Sequence, residues 1–201
     1  MVATLSTGPV APDMQQADSA AIQESLRQPE RFAVLYDRYA RALHRYASRR
    51  VGDDIADDVV AATFLAAFRA RGRYDLSRES ARPWLFGILT REIAGKRRAE
   101  QVRLRAMARA LPDQPADDLA DGVAAAMSAR AAYGQVAAAL ARLTPDERHV
   151  LLLIAWGDLS YDEAAQALRI PVGTVRSRLS RGRAKVRRAL GGSNPLHEEE
   201  A

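Results

Sequence analysis

The chain has 201 residues and contains no cysteine. Disulfides, thiolate zinc sites and cysteine nucleophiles are therefore excluded. Lysine is scarce as well, since Lys96 and Lys185 are the only two. Almost all of the positive charge is therefore guanidinium. This favours planar, bidentate contacts to phosphates and guanine edges, although the coding bias of a GC-rich genome would give the same composition.

The sequence also lacks the segments that would direct it to a membrane or out of the cell. Its N-terminus has no basic start followed by an apolar stretch, and the longest strongly apolar run, Val150 to Gly157, is too short to span a bilayer. We therefore expect a soluble, cytoplasmic protein. There is no P-loop and no nucleophile–base set, and His44, His149 and His197 lack metal-ligand spacing. We expect no enzymatic activity, no cofactor and no metal.

The formal net charge of +5 is unevenly distributed along the chain. Residues 31–98 carry +7 and residues 128–190 carry +6. The connecting residues 99–127 carry −2, and the two ends, 1–30 and 191–201, carry −3 each. This distribution is typical of two polyanion-binding modules separated and flanked by acidic segments.

Apolar spacing predicts three helices in the first basic block. One apolar face is formed by Phe32, Leu35, Tyr36, Tyr39, Leu43 and Tyr46, at intervals of three and four residues. A turn at Gly52 leads to a second helix, whose predicted buried side is Ile55, Val59, Val60, Thr63, Phe64 and Ala67. The segment 71–82 is predicted to be a loop, and a third helix begins near Pro83 and ends at residues 96–98.

Helix-capping signals organise the second block. Thr144 with Glu147, and Ser160 with Glu163, each have the spacing of a capping box. They predict two helices, and a third follows from about Val172 to Leu190. The last two helices, joined by a short turn, form the helix-turn-helix pattern. Since no segment alternates with period two, the sequence predicts an all-α protein.

The last helix carries the strongest functional signal. Its apolar stripe is Val175, Leu179, Val186 and Leu190. The remaining surface holds seven bases and no acid: Arg176, Arg178, Arg181, Arg183, Lys185, Arg187 and Arg188. Such a surface is self-repelling unless it faces a polyanion, and the major groove of DNA admits one helix of this kind.

Three phrases, in sequence order, resemble a known family. The phrase LSYDEAAQALRIPVGTVRSRLSRGRAKVRR from Leu159 resembles region 4 of bacterial RNA polymerase sigma factors of the extracytoplasmic-function class. DDVVAATFLAAF from Asp57 resembles region 2.2, and RPWLFGILTREIAGKRRAE from Arg82 resembles regions 2.3–2.4. The resemblance covers about residues 26–190.

The resemblance implies two small helical domains joined by a flexible acidic linker, the second containing the helix-turn-helix. The predicted organisation is a mobile extension (1–25), a region 2 domain (26–100), a linker (101–125), a region 4 domain (126–190) and an acidic tail (191–201). The implied function is to bind core RNA polymerase, direct it to promoters and assist promoter melting. The implied partners are the β′ coiled coil and β flap of core polymerase, promoter DNA and an anti-sigma factor.

The resemblance also assigns sites. The −35 element would be read by Thr174, Arg176, Ser177, Arg178, Ser180 and Arg181. The −10 element would be taken up by Arg73, Tyr74, Ser77, Arg78, Arg91, Arg97 and Arg98. The polymerase β′ subunit would contact Asp57, Asp58, Thr63 and Phe64.

The sequence departs from the family pattern at three places. Ala61 and Ala62 stand where a polar pair is usual, Arg91 replaces a common asparagine, and Arg169 occupies a turn position where glycine is frequent. Two other functions remain open from the residues themselves. One is a conventional helix-turn-helix regulator that binds duplex DNA without a polymerase role, and the other is an adaptor that makes no DNA contact.

Overall fold

The computed structural model describes residues 17–110 and 135–191, and every regular element in these two ranges is helical. This confirms the all-α prediction. The first range contains α1 (Asp18–Ser25), a 3₁₀ turn (Pro29–Phe32), α2 (Ala33–Val51), α3 (Asp53–Ala70), a second 3₁₀ turn (Arg71–Arg73) and α4 (Arg82–Ala110). The second range contains helical residues 135–141, α5 (Pro145–Ala155), α6 (Tyr161–Leu168) and α7 (Val172–Ala189).

Helices α2 and α3 form an antiparallel pair around Gly52. This residue has a φ of 82°, a left-handed conformation that glycine adopts without strain. The pair buries most of the predicted residues, but Tyr36 is 52% exposed and Ile55 is 42% exposed. Both were predicted to be buried, and both predictions are wrong. The buried series of α3 begins at Ala56 instead, which places Ile55 beside the packed face.

The packed structure begins earlier in the chain than predicted. Asp18, in the first turn of α1, is 2% exposed, and its carboxylate accepts hydrogen bonds from Arg38, from the Tyr39 hydroxyl and from the Ala81 amide. These bonds fix α1 against α2 and the start of α4. Residues 18–25 therefore do not belong to a mobile extension. Residues 1–16 lie outside the described ranges, as does most of the predicted linker.

Helix α4 continues to Ala110, beyond the predicted end at residues 96–98. The added residues, AEQVRLRAMARA, contain neither glycine nor proline and consist mostly of strong helix formers. The basic run Lys96-Arg97-Arg98 therefore lies within the helix rather than at its C-terminus. The next residue that opposes helix formation is Pro112.

Both predicted capping boxes are present. Thr144 accepts from the Glu147 amide while Glu147 accepts from the Thr144 amide, and Ser160 and Glu163 do the same at the start of α6. Helices α6 and α7 are joined at Arg169, which has φ 56° and ψ 47°. Arg169 thus adopts a left-handed conformation at a turn position where glycine is frequent, and the predicted helix-turn-helix is confirmed.

The two halves of the chain pack against each other where α4 crosses α6. A Cβ atom at Gly87 would lie 2.4 Å from the Ala167 carbonyl oxygen, so only glycine permits this close approach. Phe86 is 1% exposed and lies beside Gly157. Buried side chains from both halves consequently form one continuous core.

The crossing is also held by polar contacts. The Arg82 guanidinium donates to both Glu163 carboxylate oxygens, at 3.2 and 3.3 Å. It also donates to the carbonyl oxygens of Gly157 and Asp158, at 2.9 Å each. Arg82 thus connects the beginning of α4 to the segment that precedes α6.

Candidate nucleic-acid and polymerase interfaces

Helix α7 presents the predicted −35 residues on an open surface. Arg176, Ser177, Ser180 and Arg181 are exposed, and Thr174 is half-buried. The opposite side of the helix is fixed in the core through its buried apolar stripe. The N-terminal half of α7 is therefore presented as a rigid, positively charged surface, the arrangement that a recognition helix requires.

Two of the seven bases of α7 bind acids of α5. The Arg178 guanidinium lies 2.7 Å from the Asp146 carboxylate, and the Lys185 ammonium lies 2.7 Å from that of Glu147. Glu147 is buried, and the bond from Lys185 is the largest cause of its lowered pKa. Arg178, which the sequence assigned to the −35 element, is thus engaged in holding α7 on α5. The bases at 176, 181, 183, 187 and 188 are exposed.

The predicted −10 loop is organised by Tyr74. This residue is 8% exposed, and its hydroxyl donates to the carbonyl oxygens of Arg78 and Ser80 at 3.0 Å. Its ring centroid lies 4.9 Å from that of Trp84, and burial raises the pKa of its hydroxyl to about 12. Tyr74 therefore shapes the loop and does not offer a free ring to a base.

Asp75 fixes the tip of the same loop. Its carboxylate accepts from the Ser77 hydroxyl at 2.6 Å and from Arg78 Nε at 3.0 Å, and these bonds lower the pKa of Asp75. Ser77 and Arg78 remain exposed. Two of the predicted −10 residues are thus held in place on the surface by one acid.

Four of the seven predicted −10 residues meet in a small cleft. Arg73, Tyr74, Arg78 and Arg91 line a space of about 170 Å³. Gln166 and Arg169, from the helix-turn-helix, line the same cleft. Burial lowers the pKa of the Arg91 guanidinium, and the nearby charge of Arg169 lowers it further. Four arginines line the cleft against one acid, Asp75, which pairs with Arg78, so the cleft carries a net positive charge that favours anions.

The remaining predicted −10 bases lie elsewhere. Arg97 donates a hydrogen bond to the Arg50 carbonyl and lines a different, larger groove. Arg98 is exposed on α4 and belongs to neither space. The predicted −10 residues therefore do not form one continuous site in this structure.

Of the predicted polymerase contacts, the two acids are exposed and the other two residues are buried. Asp57 lies 3.0 Å from His44, and Asp58 lies 3.3 Å from Lys96. Thr63 is fully buried and donates to the Val59 carbonyl at 2.7 Å, while Phe64 is 8% exposed. Thr63 and Phe64 therefore support the helix pair rather than form its surface.

Three apolar side chains on α2 and α3 are exposed: Tyr36, Ile55 and Leu65, at 52%, 42% and 50%. The Tyr36 ring centroid lies 4.9 Å from that of Phe64, so Tyr36 and Leu65 lie on either side of one core residue in space and in sequence. Ile55 lies ten residues earlier on α3. The exposure of Leu65 could have been predicted from the spacing, because it falls outside the buried series of α3. Neighbouring exposed apolar side chains such as Tyr36 and Leu65 are candidates for a protein contact.

Comparison with known proteins identifies the family. The model for sigma-70 region 2 matches residues 35–103, and the model for sigma-70 region 4 matches residues 133–186. The chain is 34% identical over 157 residues to the RNA polymerase sigma factor NccH of Alcaligenes xylosoxydans xylosoxydans, which covers 77% of this chain and 84% of that protein. The chain belongs to the sigma-70 family. It is also 38% identical over 128 residues to the ECF RNA polymerase sigma factor SigC of Mycobacterium tuberculosis, covering 64% of this chain and 66% of that protein.

Solved structures agree with this classification. The structure of CnrH in complex with the cytosolic domain of CnrY aligns with a TM-score of 0.60 at 28% identity, covering 89% of this chain and all of that one. RpoE of Bartonella quintana, in complex with the anti-sigma factor NepR, aligns with a TM-score of 0.58 over 82% of this chain and 99% of that one. At 23% identity, this second likeness supports the fold alone.

The sigma factor is thus of the extracytoplasmic-function class and carries both region 2 and region 4. It is a promoter-specificity factor that binds core RNA polymerase. A conventional helix-turn-helix regulator would not account for region 2, so that alternative is not favoured. Within the described residues, no helix combines the length and apolarity needed to cross a bilayer.

Proposed function

We propose that this sigma factor reads the −35 element as duplex DNA through the first turns of α7. The observation that carries the proposal is the exposure of Arg176 and Arg181 on a helix whose opposite face is buried. Arginine recognises guanine through two parallel hydrogen bonds in the major groove, and Ser177 and Ser180 lie beside the two arginines on the same surface.

Alanine replacement tests this assignment. R176A and R181A are each expected to weaken binding to the preferred −35 sequence by about 1–3 kcal/mol and to relax the preference at one or two base pairs. The measurement is run-off transcription and DNA binding by the reconstituted holoenzyme on a library of −35 variants. R187A is the control, because a phosphate contact should weaken all sequences alike. Equal losses on every sequence for R176A and R181A would show that they contact phosphate only.

We propose that the cleft lined by Arg73, Arg78 and Arg91 receives the −10 element. Unpaired bases and their phosphates require a pocket with positive charge, and the cleft provides both. R91A should reduce promoter opening, measured by permanganate reactivity of thymines, more than it reduces formation of the closed complex. An equal loss in both assays would argue against a role in melting.

We propose that the outer surface of α2 and α3, which exposes Tyr36, Ile55, Asp57, Asp58 and Leu65, docks on the β′ coiled coil of core polymerase. L65D should reduce co-elution with core polymerase at least tenfold, because it places a charge in a desolvated interface. L26D is the matched control, since Leu26 is 49% exposed but lies outside α2 and α3. Co-elution unaffected by L65D would exclude Leu65 from the interface.

The proposed role is non-catalytic and belongs in the cytoplasm, where core polymerase and promoter DNA are found. An anti-sigma factor is a further proposed partner. An adaptor that makes no DNA contact would show salt-independent behaviour, whereas binding through arginines should weaken steeply as salt rises.

A further inference from the structure

A large groove lies between the two halves of the molecule, away from the proposed DNA surfaces. Its volume is about 1080 Å³, and it is bounded by the end of α2, by α4, by helical residues 135–141 and by α5. Leu140, Leu152 and Trp156 give it an apolar lining. Four arginines also line it, Arg49, Arg50, Arg97 and Arg148, against a single acid, Asp53.

Among the described residues, the hydrogen bonds of Arg50, Arg97 and Arg148 are made to neutral oxygens. Arg50 is only 6% exposed; it donates to the Tyr46 hydroxyl at 2.9 Å, and its Nε has no hydrogen-bond partner within the described ranges. Arg97 donates to the Arg50 carbonyl, and Arg148 donates to the carbonyls of Leu140, Ala141 and Leu143.

The arginine charges are also close enough to affect one another. Partial burial lowers the pKa of the Arg97 guanidinium, and the charges of Arg50 and Arg148 lower it further, although the Arg97 side chain keeps access to solvent. Arg50 is the arginine that is taken out of water, and doing so without a counterion is costly when like charges lie nearby. An anion bound in the groove would offset both effects.

The chemistry of the groove specifies the kind of ligand. Guanidinium groups pair with carboxylates through two parallel hydrogen bonds, while the apolar lining requires apolar side chains. A nucleic-acid backbone would satisfy the arginines but leave the apolar lining uncovered. An acidic peptide segment with interspersed apolar residues fits both parts.

The chain itself contains one such segment, at residues 111–127, LPDQPADDLADGVAAAM. It carries Asp113, Asp117, Asp118 and Asp121, no base, and the apolar residues Leu111, Leu119, Val123 and Met127. It follows α4, on which Arg97 lies, and it precedes residues 136 and 137, which line the groove. Tethering at both sides gives an effective concentration on the order of millimolar. The acidic tail, by contrast, is joined to α7, which does not line the groove.

We propose that residues 111–127 dock in this groove in the free protein, with their aspartates paired to Arg50, Arg97 and Arg148. Docking itself does not depend on the proposed function. Its biological consequence does, because we expect binding of both halves to polymerase to withdraw the connecting segment from the groove.

The absence of cysteine permits a direct test in the full chain. A benzophenone attached to A120C should cross-link, within monomers, to residues of α2, α5 and 135–141 that line the groove, as mapped by mass spectrometry. The same label at S193C, in the tail, should not. Cross-links from A120C that scatter over the surface or map to α7 would overturn the proposal.

Charge-neutral variants identify the acidic partner. Replacing Asp113, Asp117, Asp118 and Asp121 with asparagine should lower the groove cross-link yield at least fivefold, while circular dichroism remains unchanged. Replacing Glu198, Glu199 and Glu200 with glutamine should leave the yield unaltered. A loss with the glutamate variant instead would show that the tail is the occupant, and cross-links found only between chains would show that a second copy is.

A final arm separates this proposal from the proposed function. Adding core polymerase should reduce the A120C cross-links to the groove at least fivefold. If the protein failed to bind polymerase, the free chain would still give the groove cross-links, and adding polymerase would not reduce them. If docking failed, the free chain would lack the cross-links while polymerase binding was intact.

Discussion

Arg82 contributes to the contact between the two halves, and the effect of its removal on stability can be assigned a magnitude. R82A eliminates the bonds to Glu163, Gly157 and Asp158 together. Hydrogen bonds to charged groups contribute about 1.5–3 kcal/mol, and breaking a buried pair costs about 3–5 kcal/mol. The Arg82 and Glu163 side chains are 25% and 27% exposed, so water would replace part of what is lost. We therefore expect R82A to lower the free energy of unfolding by about 2–3 kcal/mol.

Urea denaturation at neutral pH measures this difference, and the chain supplies a matched control. Arg78 pairs with Asp75 at 3.0 Å, but the two side chains are 45% and 55% exposed. R78A should therefore cost only about 0–1 kcal/mol. The isosteric E163Q can still accept the hydrogen bond from the Ser160 amide. Comparing R82A, E163Q and the double variant R82A/E163Q therefore isolates the Arg82–Glu163 interaction. We expect the effect of the double variant to differ from the sum of the two single effects by about 1 kcal/mol.

Two results would refute this reasoning. One is an R82A effect no larger than the R78A effect, because an exposed ion pair contributes only about 0–1 kcal/mol. The other is strict additivity of R82A and E163Q, which would mean that the two side chains do not interact in solution. Small-angle scattering provides a separate check, since loss of the contact should increase the radius of gyration.

Three further variants test local features of the fold. R169G should raise the free energy of unfolding by about 0.5–1 kcal/mol in thermal denaturation, because relief of the left-handed strain exceeds the added backbone entropy. T144A should lower it by about 1 kcal/mol, because the Glu147 amide loses its cap, and T144S is the control. Burial, followed by the charge of Arg50, lowers the pKa of His149 from 6.5 to about 4, so the folded protein holds this residue neutral. The stability that comes from keeping His149 neutral is fully present above pH 6.5 and is lost as the pH falls toward 4. In urea titrations, H149Q should therefore show a smaller decrease in the free energy of unfolding between pH 6.5 and 4 than the parent protein. Identical pH profiles for the two proteins would contradict the assignment.

The features that the sequence predicted correctly are those set by neighbours along the chain. A capping box joins residues three positions apart, so Thr144 and Glu147 predict the start of their helix without information about the rest of the fold. The short turn between α6 and α7 is likewise a local feature, and Arg169 adopts a left-handed conformation there despite the steric cost. The all-α class and the helix-turn-helix follow from such signals.

The errors arise where burial is decided by a distant partner. Apolar periodicity shows which face of a helix is buried but not how wide the buried face is. Tyr36 and Ile55 were therefore predicted to be buried, although each lies at the edge of the buried face of its helix. Helix α1 was missed because Asp18 is fixed by Arg38, Tyr39 and Ala81, which lie 20 or more positions away.

The two halves pack together although both carry a net positive charge. Modules of +7 and +6 should repel each other, and the cleft near Arg91 and Arg169 does bring like charges together. Repulsion between exposed charges is screened within about 10 Å at 0.1 M salt, however, whereas buried apolar contacts and partly buried hydrogen bonds are not. Short-range interactions at Phe86, Gly87 and Arg82 can therefore outweigh the net charge. Charge counted along the sequence indicates the ligand that each half attracts, but it does not determine whether the halves touch.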